Sequence, residues 1–174
     1  MEAVDPLVVE LIESLATTPA FVANEQSVVL ASNSIARAVT PTFTVGTNLA
    51  RATFVDPVAR AVLPRWQDAS DHMVARLKET IGAGSDARRD LEELVAELSS
   101  RSAEFSDAWA SEGTELEYVV ALAIDHPQVG LIDITYRSLQ LPAGGQTLVL
   151  GHVEPGSASE ARLFQLAAGP RDGG

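Results

Sequence analysis

Residues 115–154 read ELEYVVALAIDHPQVGLIDITYRSLQLPAGGQTLVLGHVE, and the period of this stretch decides the fold. In its first part Leu116, Tyr118, Val120, Leu122 and Ile124 fall on every second position, which puts them on one face of a pleated strand. Asp125-His126-Pro127-Gln128-Val129-Gly130 interrupts with turn residues. Leu131 to Leu141 then resumes the alternation, with Ile132, Ile134 and Tyr136 on one side. Pro142-Ala143-Gly144-Gly145 turns the chain again. Thr147 to Val153 is a short apolar strand closed at Glu154-Pro155-Gly156, where proline has no N–H to offer a ladder. The stretch predicts a three-stranded antiparallel meander whose apolar face needs a cover from elsewhere in the chain.

Toward the N-terminus, Asp5-Pro6 is a helix start, with Asp as the cap and Pro at the first helical position. Leu7, Val8, Leu11, Ile12 and Leu15 form one apolar stripe behind it. Pro19 to Ala23 and Ser27 to Ala31 are two short strands around Asn24-Glu25-Gln26. Two strands alone are marginal in water, so this hairpin is expected to join the meander.

Between the two sets of strands the period becomes helical. Asn33 to Val39 is a short helix stopped near Pro41; Thr47 is placed to cap another over Asn48 to Phe54; Asp56-Pro57 repeats the start signal. The longest helix is predicted over Pro64 to Ile81, where Trp66, Ala69, Met73, Val74, Leu77 and Ile81 keep helical spacing and Gly82 offers a C-cap. Asp86 opens the next, with Leu91, Leu94, Val95 and Leu98 as its buried stripe, and a last short turn carries Phe105 and Trp109. After the meander, Ser157-Ala158-Ser159-Glu160 reads as a capping box for a closing helix through Leu163, Phe164 and Leu166, ended by Gly169-Pro170. The tail Arg171 to Gly174 is expected to fray.

Composition bounds what such a sheet belongs to. The chain has 174 residues, 46% of them apolar, which suits one core burying about 70% of the unfolded surface. There is no cysteine, so disulfides, thiolate metal sites and cysteine nucleophiles are excluded. No apolar run approaches the roughly 20 residues a membrane span needs, and the N-terminus lacks the basic start of a signal peptide, so a cytoplasmic protein is expected. A formal net charge of −12 repels phosphate backbones, and no Lys/Arg cluster reverses it locally. H-E-x-x-H, G-x-S-x-G, phosphate loops and glycine-rich nucleotide fingerprints are all absent, no cofactor or metal is implied, and the chain reads as a non-enzyme.

The resulting order is helix, two strands, a helical block, three strands, helix. It is an α+β order, a five-stranded antiparallel sheet with helices inserted between strands 2 and 3, and it resembles that of PAS-like domains, in which such helices cover one face of the sheet and enclose a ligand cavity. Read together, Asn33, Asn48-Leu49, Phe54 with Asp56-Pro57, Trp66, Leu94-Val95, Glu97-Leu98-Ser99, Ser102 with Phe105 and Trp109, His126-Pro127, Val129-Gly130 and Glu154-Pro155-Gly156-Ser157 resemble the MmyB-like ligand-binding domain of bacterial transcription regulators. The resemblance spans Leu7 to Leu166 and implies one domain over residues 1–170. It also implies a cavity for fatty-acid-like ligands and a partner helix-turn-helix of the XRE type that contacts DNA. Too few residues precede the first helix for such a DNA-binding domain, so the chain is expected to be a free-standing member or an excised piece. It departs from the family's usual pattern at Leu77-Lys78, where Leu-Arg is common, and at Glu112-Gly113-Thr114, where His-Asp-Val follows the tryptophan.

Candidate ligand contacts are Trp66, Met73, Leu77, Phe105 and Trp109, with Phe54, Tyr118 and Tyr136 completing the lining. Asn33 and Asn48 are candidates to orient a head group. A buried carboxylate must meet a cation, a set of hydrogen-bond donors or water at the cavity mouth, and Arg76 and Lys78 near the end of the long helix are the cationic anchor candidates. Each has a plainer reading: core for the large apolar groups, helix caps for the asparagines, solvated surface for the two cations. His126, in a turn before Pro127, reads as a structural hydrogen-bonding residue. Three functions follow: a ligand-sensing regulatory domain, a dimerisation module with a collapsed cavity and an exposed Leu7–Leu15 stripe, or a lipid-handling carrier or enzyme.

Overall fold

The computed structural model describes residues 2–112, 115–142 and 144–169. The meander is the centre of the architecture. Strands β3 (Val119–His126), β4 (Gly130–Gln140) and β5 (Thr147–His152) pair antiparallel in sequence order, and β1 (Ala20–Ala23) and β2 (Val29–Ser32) extend the sheet beyond β5. The full strand order is β2-β1-β5-β4-β3, five antiparallel strands in the PAS-like arrangement.

Pleating sorts the side chains onto two faces. Phe21, paired with Val149, and Tyr136, paired with Val120, face the inserted helices from four strands, while Val22 and Leu148 face the other way. On that second face helix α1 (Pro6–Glu13) packs Ile12 against Ala20, Val22, Ala31 and Leu148. The inserted block holds α2 (Ser34–Val39), a 3₁₀ turn at Pro41–Phe43, α3 (Leu49–Val55), α4 (Pro57–Ala61), α5 (Trp66–Gly82), α6 (Arg88–Arg101) and α7 (Ala103–Ala110). Helix α8 (Ala158–Ala167) returns to the inserted-helix face, where Leu163 joins the core.

Several boundaries differ from the sequence expectation for local reasons. Strand β3 begins at Val119 rather than Leu116: Ser138 N still donates to the Tyr118 carbonyl, but β4 beyond that point pairs with β5 alone, and Tyr118 is exposed. Strand β2 starts at Val29 because Ser27 takes a left-handed turn (φ 62°). The cap of α3 is Asn48 and not Thr47, its Oδ1 accepting from Arg51 N at 3.0 Å. Helix α5 passes through Gly82, and the positive φ falls at Gly84. Helix α6 begins at Arg88, after Ser85 Oγ has taken up Ala87 N. The expected turn around Phe105 is a full helix, α7, capped by Ser102. Ser157 caps α8, but Glu160 reaches back to Gly156 N instead of the cap residue's own N–H. On α1, Leu7 and Leu11 of the expected buried stripe are exposed, and Ile12 alone is fully buried. Ala143, Pro170 and the tail Arg171–Gly174 lie outside the described residues, as do Gly113 and Thr114.

Candidate functional site: a cavity between sheet and helices

Helix α5 carries two adjacent stripes, and their division locates the site. Ser70, Val74 and Leu77, at i, i+4 and i+7, are buried, and Val74 and Leu77 enter an all-helical core with Phe54, Leu91, Leu94, Leu98 and Phe105. Ala69, His72, Met73 and Arg76, at i, i+3, i+4 and i+7, face the sheet. Between them and the strands lies a mostly apolar cavity of about 120 Å³. Its floor is Phe21 and Ala23 of β1, Val149 of β5, Tyr136 and Ser138 of β4, and Val120, Leu122 and Ile124 of β3. Its other walls come from Thr40, Thr42 and Phe43 beside the 3₁₀ turn, Leu49 and Thr53 of α3, and Ala59, Val62 and Leu63 around α4.

Of the sequence candidates, Met73, Tyr136 and Arg76 border this cavity. The others sit elsewhere. Phe54 meets Phe105 edge-on at 4.9 Å, Phe105 stacks on Trp109 at 5.6 Å, and Leu77 is completely buried beside them. Trp66 donates Nε1–H to the Thr53 carbonyl at 2.7 Å, and Arg60 covers its ring. Tyr118 is exposed, its hydroxyl donating to Glu79. Both asparagines cap: Asn33 Oδ1 accepts from Ala36 N and Ala20 N, and its Nδ2 donates to the carbonyls of Ile12, Leu15 and Thr18. Asn48 caps α3 and holds the Gln26 carbonyl. Lys78 leaves the cavity side altogether, binding the Ser111 carbonyl at 2.7 Å near Trp109. His126 ties β3 to α2, with Nε2 2.9 Å from the Ala38 carbonyl while Nδ1 accepts from Gln128 N.

Arg76 is the cavity's charged group. Its Nη2 donates to the Asn24 carbonyl at 3.2 Å, and Nη1 and Nη2 lie at 3.5 and 3.4 Å from Thr147 Oγ1. Among the described residues no carboxylate lies within ion-pair distance of it. Burial pushes its pKa down, opposed by the more distant charges of Glu79 and Glu25. An arginine's ordinary value is so high that the guanidinium stays charged. One turn earlier, His72 is held neutral at pH 7, its pKa lowered to about 4 first by burial and then by Arg76. The site thus offers planar N–H donors with a positive charge at one edge of an apolar space, the complement of a carboxylate on an apolar body.

Sequence reasoning missed Phe21, Phe43 and His72. The signal for His72 was its four-residue spacing from Arg76 on the longest helix; two polar residues on a second face do not register in a search for apolar stripes.

An antiparallel sheet with helices inserted after its second strand, enclosing an apolar cavity with one partly buried cation, defines a ligand-binding domain of the PAS-like class. The model of one family, the MmyB-like transcription regulator ligand binding domain, matches residues 4–167. The chain covers that model with nearly all of its length and belongs to this family, the ligand-binding domain of transcription regulators.

Proposed function

We propose that the domain senses a small, mainly apolar carboxylic acid of the fatty-acid type, held by Arg76, and passes its occupancy to a DNA-binding element elsewhere. The observation that carries the reading is the Arg76 guanidinium, charged and partly buried in an apolar wall, with no carboxylate within ion-pair distance among the described residues. Such a charge is costly to keep unless a ligand completes its bonding. The volume favours a modest apolar body, since a dry cavity of about 150 Å³ accommodates benzene, and the space here is about 120 Å³. Short chains fit that scale, and medium chains such as octanoate enter by displacing flexible lining such as Met73. With net charge −12, DNA contacts must come from another domain or chain.

The test is calorimetric titration of octanoate and octanol against the wild type and Arg76→Met. Loss of the charge-assisted bond should weaken the acid by roughly 1.5 to 3 kcal/mol and spare the alcohol. Equal losses for acid and alcohol would remove the anchor from the account.

A second reading, self-association through α1, draws on Leu7 and Leu11, which are 72% and 53% exposed. Sedimentation equilibrium of Leu11→Glu beside the wild type tests it, with a shift from dimer to monomer as the supporting result.

A further inference from the structure

Three buried side-chain hydroxyls lack a hydrogen-bond partner among the described residues: Ser27, Ser70 and Tyr136. Only Tyr136 borders the cavity. Its ring is fixed by packing alone. It meets Phe43 edge-on at 5.7 Å and lies 6.5 Å from Phe21. It also overlies Gly151, its partner across the β4–β5 ladder, where an added Cβ would come within 2.9 Å of the ring. A phenylalanine would satisfy all of these contacts, so the hydroxyl is surplus to the core. Native interiors rarely bury a polar group without giving it a partner, and the residue that carries this hydroxyl is one of those that line the cavity.

Tyr136 and Arg76 stand at separate places along the same strand. Arg76 reaches Thr147, whose register partner is Gln140. Tyr136 is four positions away on β4 and on the same face, about 13 Å along the strand. Ser138, between them, also lines the cavity. A ligand lying along β4 therefore meets a cation near one end and a neutral hydroxyl toward the other.

We propose that Tyr136 Oη hydrogen-bonds an oxygen at the far end of the ligand, so that the acid sensed is a hydroxy or oxo acid with its second oxygen opposite the carboxylate. The inference rests on the reading of Arg76 as the carboxylate anchor. It adds that this domain discriminates among acids by a terminal oxygen, since a plain alkyl end leaves Tyr136 Oη unpaired while a hydroxyl or carbonyl satisfies it.

The experiment titrates octanoate and decanoate, each beside its ω-hydroxy counterpart, into the wild type, Tyr136→Phe and Arg76→Met. The wild type should prefer the hydroxy acid at one of the two lengths by roughly two- to tenfold, the range one neutral hydrogen bond supplies. In Tyr136→Phe that preference should vanish, with plain-acid affinity unchanged or improved. The ligand-free variant should unfold at no lower temperature than the wild type, because the ring contacts are retained. Arg76→Met should weaken all four acids together. If plain acids bind and depend on Arg76 but the wild type shows no preference at either length, or if the preference survives in Tyr136→Phe, the role given to Tyr136 is overturned and the anchor stands. If none of the four acids binds the wild type, both are overturned.

Discussion

Arg76 Nη2 lies 3.4 Å from Thr147 Oγ1, and that hydroxyl in turn donates to Gln140 Oε1 at 3.3 Å. The longest helix is thereby joined to the start of β5 and the end of β4 through neutral groups, with no anion in the chain of contacts. A guanidinium held this way contributes little to folding, because its contacts with Thr147 are long, its remaining bond is to a neutral carbonyl, and its desolvation is unrecovered. Arg76→Met is expected to change the stability of the ligand-free domain by less than about 1 kcal/mol in urea titrations, while removing most acid binding. A loss of several kcal/mol would mean that Arg76 serves the fold and not a ligand.

Ala69 stands one turn before Met73 on the cavity stripe of α5. Filling the cavity from this position should block ligand before it harms folding, since an open space accepts volume that a close-packed core rejects. Ala69→Phe is expected to give a cooperative unfolding transition near that of the wild type and no measurable octanoate binding. Unchanged binding in the folded variant would put the ligand elsewhere.

Asn33 is predicted to matter to stability alone. It is 2% exposed, caps α2, and satisfies three carbonyls at the end of α1 and the approach to β1. Asn33→Ala removes a cap and strands those acceptors, a cost of about 2 to 4 kcal/mol. Urea midpoints measure that loss; the folded fraction should bind octanoate as the wild type does.

Acid should weaken the fold through His72. The folded protein binds its proton only near pH 4, whereas the ordinary value is 6.5. Between these values the unfolded chain takes up a proton that the folded one refuses, so stability is lost as pH falls from about 6.5 toward 4. The contribution is of order 1 to 3 kcal/mol. His72→Phe should flatten that part of the stability profile relative to the wild type, as read by thermal melts at stepped pH.

How far the sequence could be read varied with the physics of each part. The meander was legible because period-two alternation in Val120, Leu122, Ile124, Ile132, Ile134 and Tyr136 survives any tertiary detail: all six face the helices. Helix starts at Asp5, Asn33 and Ser157 were legible because capping is local chemistry. The site was less so. Trp66, Phe105 and Trp109 are conspicuous, yet in an inserted block of several helices large apolar groups first supply the helices' own core. Which stripe of α5 meets the sheet depends on how α3, α6 and α7 stack, and no local pattern records that. Lys78 and Arg76 look alike as cations near one helix end; two residues of helical rotation send one to Ser111 and the other into the cavity.

The central claim is that the cavity holds an apolar carboxylate on Arg76, and native mass spectrometry in the presence of octanoate tests it most directly. Wild type, Ala69→Phe and Arg76→Met are to be sprayed side by side from the same octanoate solution. The account predicts one bound octanoate on the wild type and the bare protein mass for both variants. Equal octanoate occupancy in all three, or none in the wild type, would contradict it.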